Sequence, residues 1–164
     1  IMSRGLGDVY KRQAEHHGRT LAYSVIAAAP VAGVRPVTGG LYAAIEDVEL
    51  ARNNDKPAHD HPVQVVLLGD QVTLVALGSE STIDYSLRLK REIDCPLVWV
   101  AGYCNDYSGY VPGRRVAQEG GYEASNNFTL DVEERIAAKA HELVGRLNAD
   151  KMTGGIPAKS EIVP

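Results

Sequence analysis

The sequence contains no apolar run longer than the eight residues Val25 to Ala32, and Pro30 breaks even that one. A bilayer-spanning helix takes roughly 20 apolar residues, so no helical membrane span is expected. Clusters of four or more basic residues are also missing, and 17 Lys plus Arg stand against 21 Asp plus Glu for a net charge of -4. Little here attracts a polyanion, and nucleic acid is not an expected partner. Cysteine is scarce: Cys95 and Cys104 are the only two, and their spacing is not that of a CxxC redox or zinc motif. An extended segment at about 3.3 Å per residue would hold them beyond the roughly 7 Å Cα limit for a disulfide, so both are expected as free thiols. No internal repeat or low-complexity block is present. What is there, 45% apolar and 23% charged residues in a chain of 164, is the composition of one folded domain, not of a disordered, collagenous or coiled-coil chain.

The two ends differ from the middle. Residues 1–13 show neither helical nor strand periodicity and no signal-peptide apolar core. The string Gly5-Leu6-Gly7-Asp8-Val9-Tyr10-Lys11-Arg12-Gln13 resembles translated sequencing-adapter tails found at the start of gene fragments assembled from environmental DNA, so native coding sequence is expected to begin near Ala14. Residues 14–150 are expected to form the folded part. Lys151 to Pro164, with Gly154-Gly155 and Pro157, reads as an irregular tail.

Between the ends, helical and extended patterns alternate, the signature of an α/β fold with a mixed sheet and flanking helices. Ala14 to Ala29, with Leu21, Val25 and Ala29 at four-residue steps, predicts a helix that Pro30 ends. Leu41 to Leu50 is apolar but broken by Glu46, Asp47 and Glu49, and a strand fits it better than a helix. Ala51 to His61 is polar and predicts a loop. Val63 to Leu68 and Val72 to Leu77 predict two strands of a hairpin turned at Gly69-Asp70, a dipeptide suited to positive backbone angles. Ser81-Thr82-Ile83-Asp84 has capping-box form and predicts a helix from about Thr82 to Ile93, ended at Cys95-Pro96. Leu97 to Ala101 predicts a buried strand. Gly102 to Phe128, which holds Tyr103, Tyr107, Tyr110 and Tyr122, reads as one long irregular connection, and connections of that length in a compact domain are usually functional or disordered. Asp131 and Glu134 open a last helix, with Val132, Ile136, Ala140, Leu143 and Leu147 on one face.

Few residues in this pattern suggest chemistry. Glu80 follows a strand and precedes a capped helix, the place where open α/β sheets gather ligands. The pattern alone is better served if Glu80 only favours the helix N-terminus through its dipole. Ser79 is a poor nucleophile, because the elbow Gly-x-Ser-x-Gly would need glycine where Thr82 stands. The four tyrosines interleave with Asn105, Asp106, Arg114, Arg115 and Glu123, and rings packed over a sheet edge would explain them as well as a site would. His59-Asp60-His61 looks like a ligand pair, but in a polar loop, with alternating side chains expected on opposite sides, it does not predict a metal site, which takes about four convergent ligands. His141 falls on a helix explained by packing.

Four ordered segments carry a more specific likeness: Thr73 to Glu80, ending Leu77-Gly78-Ser79-Glu80; Asp84 to Lys90; Val98 to Pro112, containing Asn105-Asp106-Tyr107-Ser108-Gly109-Tyr110; and Glu119-Gly120-Gly121-Tyr122-Glu123. Together they resemble the neutral/alkaline, non-lysosomal ceramidases, above all bacterial ceramidase-domain proteins. The resemblance runs from about Ala14 to Asn148 and matches the C-terminal part of that family's catalytic domain, which implies a partial domain. It implies zinc-dependent hydrolysis of the amide of N-acylsphingosine to a fatty acid and a sphingoid base, with a ceramide-like lipid as substrate. By the same resemblance Glu80 matches the zinc-binding glutamate, Tyr110 the zinc-binding tyrosine, and Tyr122 the tyrosine that helps stabilise the oxyanion. The sequence departs from the family at Ser79, which separates Gly78 from Glu80, and in having no match for the upstream motifs that carry two zinc-binding histidines and a substrate-side serine. With half the metal shell unmatched, this stretch alone is expected to hydrolyse little or nothing. A non-catalytic binding or structural domain that keeps the scaffold is the alternative.

Overall fold

In the computed structural model, which describes residues 2–28, 36–53 and 56–154, the chain divides into two units, Ile1–Pro36 and Val37–Pro164. The first holds helix α1 (Met2–Ala28). It begins twelve residues before the Ala14 start that periodicity suggests. Its cross-turn bonds are local ones, such as Arg19 to Glu15 at 2.7 Å and Thr20 Oγ1 to the His16 carbonyl at 3.0 Å. Before Ala14 the sequence carries no apolar stripe, so the early turns of this helix give a sequence reading nothing to find. Ala29 and Pro30 lie outside the described residues.

The second unit is built on a four-stranded sheet. Strand β1 (Leu41–Leu50) pairs antiparallel with β2 (His59–Leu68), and β2 with β3 (Val72–Leu77). The hairpin turn needs glycine at position 69: φ is +55°, and a Cβ there would lie 2.0 Å from the Thr38 carbonyl oxygen. After β4 (Glu80–Ser81), helix α2 (Ile83–Glu92) crosses over to β5 (Leu97–Ala101), which runs parallel to β3. The sheet is therefore mixed, with flanking helices, as the alternating pattern implies. Strand β6 (Tyr110–Val111), helix α3 (Arg114–Glu119), a 3-10 turn (Tyr122–Ala124) and helix α4 (Val132–Thr153) complete the unit.

Alternation puts Val63, Val65 and Leu67 of β2 and Val75 and Leu77 of β3 on one face, in one core with Ile136, Ala140, Leu143 and Leu147 of α4, which packs on β1 and β2. Tyr85 and Leu89 of α2 close the same core. Each such side chain contributes about 1.5–3 kcal/mol by leaving water, so this layer contact is the main force holding the sheet flat against its helices. Both cysteines are free thiols. Among the described residues no helix is long and apolar enough to cross a membrane.

Several expectations need correction. Strand β2 starts at His59, not Val63, because His59 to Pro62 pair with Asp47 to Leu50 of β1. Pro62 is tolerated there because the β2–β3 ladder ends at Val63 and Leu77, beyond which Pro62 only accepts, from the Gly78 N–H at 3.0 Å. The capping box does not form: Thr82 is the N-cap without a side-chain cap bond, its hydroxyl instead accepting the Gly113 N–H at 2.8 Å, while Asp84 takes Arg115 at 3.0 Å. Strand β5 is not a buried strand; it forms one edge of the described sheet and leaves Leu97 and Trp99 exposed on the face opposite the helices. Gly102 to Phe128 is not one irregular loop but carries β6, α3 and the 3-10 turn, each too short to show a period. Helix α4 runs past Lys151 to Thr153 and is capped by left-handed Gly154, while residues 155–164 lie outside the description.

The two histidines of β2 also sit differently from expectation. Residues two apart on a strand share a face, and the rings of His59 and His61 lie 6.1 Å apart. His61 is fully buried, and neither ring nitrogen has a hydrogen-bond partner among the described residues. Burial, helped by the nearby His59, pushes its pKa down to about 4. An unfolded histidine binds its proton near pH 6.5, so between about pH 6.5 and 4 the unfolded state holds more protons and stability falls as pH falls. The slope from this group is at most about 1.4 kcal/mol per pH unit. His61→Leu is expected to flatten that dependence and to unfold at higher urea than wild type at pH 5; equal pH dependence of the two proteins would refute the assignment.

Candidate functional site

The parallel pairing of β3 and β5 brings their carboxyl ends, Leu77 and Ala101, to one edge of the sheet. Both chains leave that edge through tight backbone. Gly78 has no room for a side chain, since a Cβ would meet Pro62 Cδ at 2.9 Å and Asp106 Cβ at 3.3 Å. Ser79 and Tyr103 both take left-handed conformations, φ +54° and +58°, which non-glycine residues seldom adopt. The Tyr103 N–H donates to the Ser79 carbonyl at 2.7 Å, tying the two exits together.

The segment after Ser79 forms the β4–β6 ladder, parallel, with Glu80 in register with Tyr110. The Glu80 N–H donates to the Gly109 carbonyl at 3.0 Å, and the Asn126 side-chain amide donates to the Tyr110 carbonyl at 2.7 Å from the other side. Neighbouring strands lie about 4.8 Å apart and partner side chains share a face, so the ladder sets the glutamate beside the tyrosine. The hydroxyls of Tyr103 and Tyr110 both lie close to the Glu80 carboxylate, which raises both phenol pKa values. The nearby carboxylate pushes the Tyr103 phenol up to about 12; for Tyr110, desolvation comes first and Glu80 second, again raising the pKa. The Tyr122 ring stands edge-on to Tyr110, with centroids 5.3 Å apart and planes at 72°, and Tyr107 stacks on Tyr103 at 6.2 Å.

Glu80, Tyr110 and Tyr122 thus come together, although 42 positions separate the first from the last. The cluster lies open to solvent: Tyr122 is 80% exposed, and Glu80 and Tyr110 are half-buried. Tyr103 is a fourth member, one that a sequence reading places in the tyrosine cluster but does not connect to Glu80. The available signal was its position just beyond the end of a parallel strand. Ser79, read as a poor nucleophile, is fully buried.

One carboxylate flanked by phenols is an all-oxygen donor set. Such donors suit a hard or borderline divalent cation, and zinc accepts carboxylate oxygen. Among the described residues no group of three or more His, Cys, Asp or Glu side chains is arranged to hold a metal. The residues present therefore fit part of a shell of about four ligands.

Fold and site define an α/β domain whose strand ends present a carboxylate–phenol cluster. No family model matches the chain, and no curated protein matches it. Among solved structures it is similar to a ceramidase complexed with C2, at 22% identity and a TM-score of 0.41, over 63% of this chain and 16% of that one. The chain thus spans about a sixth of that protein's length.

Proposed function

We propose that this chain is the C-terminal portion of a zinc-dependent amidohydrolase of the ceramidase type, which cleaves the N-acyl amide of a ceramide-like lipid to a fatty acid and a sphingoid base. The observation that carries the reading is the register of Glu80 with Tyr110 across the β4–β6 ladder, with the Tyr122 ring against Tyr110. Those three residues are the ones singled out by the ceramidase-like motifs, and the motifs alone do not require them to meet.

Glu80 and Tyr110 would hold the zinc. When bound, it supplies a Lewis acid for the scissile carbonyl and lowers the pKa of a water towards roughly 7. The remaining work belongs to this chain's side chains. Tyr103 holds the Glu80 carboxylate in orientation. Tyr122, kept protonated, would donate its O–H to the amide oxygen as that oxygen gains charge. Tyr110 would give up its proton on ligation, so neighbouring phenols would take opposite protonation states. The open edge leaves room for further ligands and for substrate.

The test is hydrolysis of an N-acylsphingosine by the protein of the full-length gene, with and without a chelator. Cleavage lost on chelation and restored by zinc is the expected outcome. Cleavage indifferent to the chelator would remove the metal assignment, and no cleavage by the zinc-replete protein would favour a binding or structural domain.

A further inference from the structure

Next to Glu80 lies a half-buried polar cluster that neither the motifs nor the proposed chemistry uses. Ser79 is its hub. The Ser79 hydroxyl contacts an Asp106 carboxylate oxygen, lies 2.8 Å from the Ser108 hydroxyl and accepts the Ser108 N–H at 3.0 Å. His59 Nε2 lies 3.1 Å from the same Asp106 oxygen and 3.0 Å from the Ser108 hydroxyl. Although serine, histidine and aspartate meet here, this is no nucleophilic triad. Asp106 and Ser108 share a single ring nitrogen of His59, and Ser79 Oγ is sealed from solvent.

Hydrogen-bond polarity around this ring follows from the charge on Asp106. Burial opposes charge on Asp106, but the Ser79 bond, the nearby His59 and the Tyr107 N–H outweigh it and hold its carboxyl below the usual range. An ionised carboxylate only accepts. Ser79 O–H and His59 Nε2–H must therefore both donate to Asp106. Ser79 Oγ is then free to accept from the Ser108 O–H, and the single Nε2–H of His59 is shared between Asp106 and Ser108 Oγ. Every hydroxyl in the ring donates once, and each bond polarises the next.

The backbone shows what this ring holds. Ser79 N–H donates to the Asp106 carbonyl at 3.0 Å, the next residue's N–H to Gly109, and the Ser79 carbonyl accepts from Tyr103. The left-handed Ser79 is thus clamped on three sides by segment 103–109, which also delivers Tyr103 and Tyr110 to Glu80. Glycine would adopt that φ without strain. Serine there supplies a hydroxyl that glycine lacks.

We infer that Ser79, Asp106, Ser108 and His59 are positioning residues that lock the Glu80 carboxylate against Tyr110 and so preorganise the cation site. The inference rests on the proposed zinc reading for its consequence, but the lock itself can be tested without metal. Outer-shell partners of metal ligands typically change affinity by roughly 10–100-fold when removed. The test compares the 164-residue chain with Ser79→Gly, Asp106→Ala and Asp106→Asn in a zinc chloride titration followed by the tyrosine ring signals in NMR, with amide exchange and thermal melting alongside. Ser79→Gly is expected to weaken zinc binding about tenfold or more while melting no lower than wild type, because it relieves the strained φ as it deletes the hydroxyl. Asp106→Ala should weaken it further, and Asp106→Asn, which still accepts from Ser79, should recover part of the loss. Exchange of the Glu80 and Tyr103 amides should speed up in the Gly and Ala variants. Wild-type affinity in both of those variants would overturn the inference. A wild-type chain that binds too little zinc to titrate is compatible with the proposed function, because this chain holds only part of the shell. In that case amide exchange decides: faster Glu80 and Tyr103 exchange upholds the lock, and unchanged exchange overturns it.

Discussion

Glu80→Gln is expected to abolish zinc-dependent amide cleavage by the full-length protein and to lower its zinc affinity more than about 100-fold, while thermal unfolding shifts little. The affinity estimate takes outer-shell losses of roughly 10–100-fold as a floor, because Glu80 would touch the cation directly. The stability estimate follows from the surroundings of the side chain. Glu80 is half-buried at the sheet edge, and the groups close to its carboxylate include the hydroxyls of Tyr103 and Tyr110. Glutamine keeps the shape and one acceptor oxygen for them, so the substitution removes charge without leaving a buried donor unpaired. The backbone bonds of residue 80 to Gly109 and of Thr82 to Val111 are unaffected. Zinc titration and melting of the same two proteins measure both halves. Activity retained in the glutamine variant would end the metal assignment of Glu80.

Tyr122→Phe is expected to lower kcat of the full-length protein by roughly 10²–10³, about 2.7–4 kcal/mol, with KM nearly unchanged. A hydroxyl that donates to the carbonyl oxygen only as charge develops contributes to the transition state and not to ground-state binding, hence the split between the two constants. The ring itself is retained, and with it the edge-on contact to Tyr110 at 5.3 Å. At 80% exposure Tyr122 buries little whose loss could unfold the chain, so a kinetic defect would not be a folding defect. A variant whose KM rises while kcat holds would assign Tyr122 to substrate binding, against the role proposed here.

Much of the scaffold is written locally. Leu41–Leu50, Val72–Leu77 and Leu97–Ala101 match strands residue for residue, because each run is apolar and bounded by turn residues. The face of α4 is legible for a similar reason: Val132, Ile136, Ala140, Leu143 and Leu147 recur at the spacing of one helical stripe, and all are buried. What misleads are signals that depend on a partner. His59 to Pro62 look like loop until β1 supplies Asp47 to Leu50 to pair with them. Ser81-Thr82-Ile83-Asp84 looks like a capping box until Gly113 and Arg115 compete for its oxygens. Leu97 and Trp99 look buried because they are apolar, but an edge strand has only one covered face here.

The sequence by itself determined the α/β class, the hairpin at Gly69, the free thiols and the identity of Glu80, Tyr110 and Tyr122 as candidates, since residue type, period and motif order are properties of short stretches. Only the tertiary structure decided that these three meet, that Tyr103 joins them, and that His59, Ser79, Ser108 and Asp106 form a closed ring next to them. The physical reason is that these contacts span tens of positions and arise from β3 and β5 lying parallel. Parallel pairing puts two strand exits at one sheet edge, and no local pattern records which exits will become neighbours.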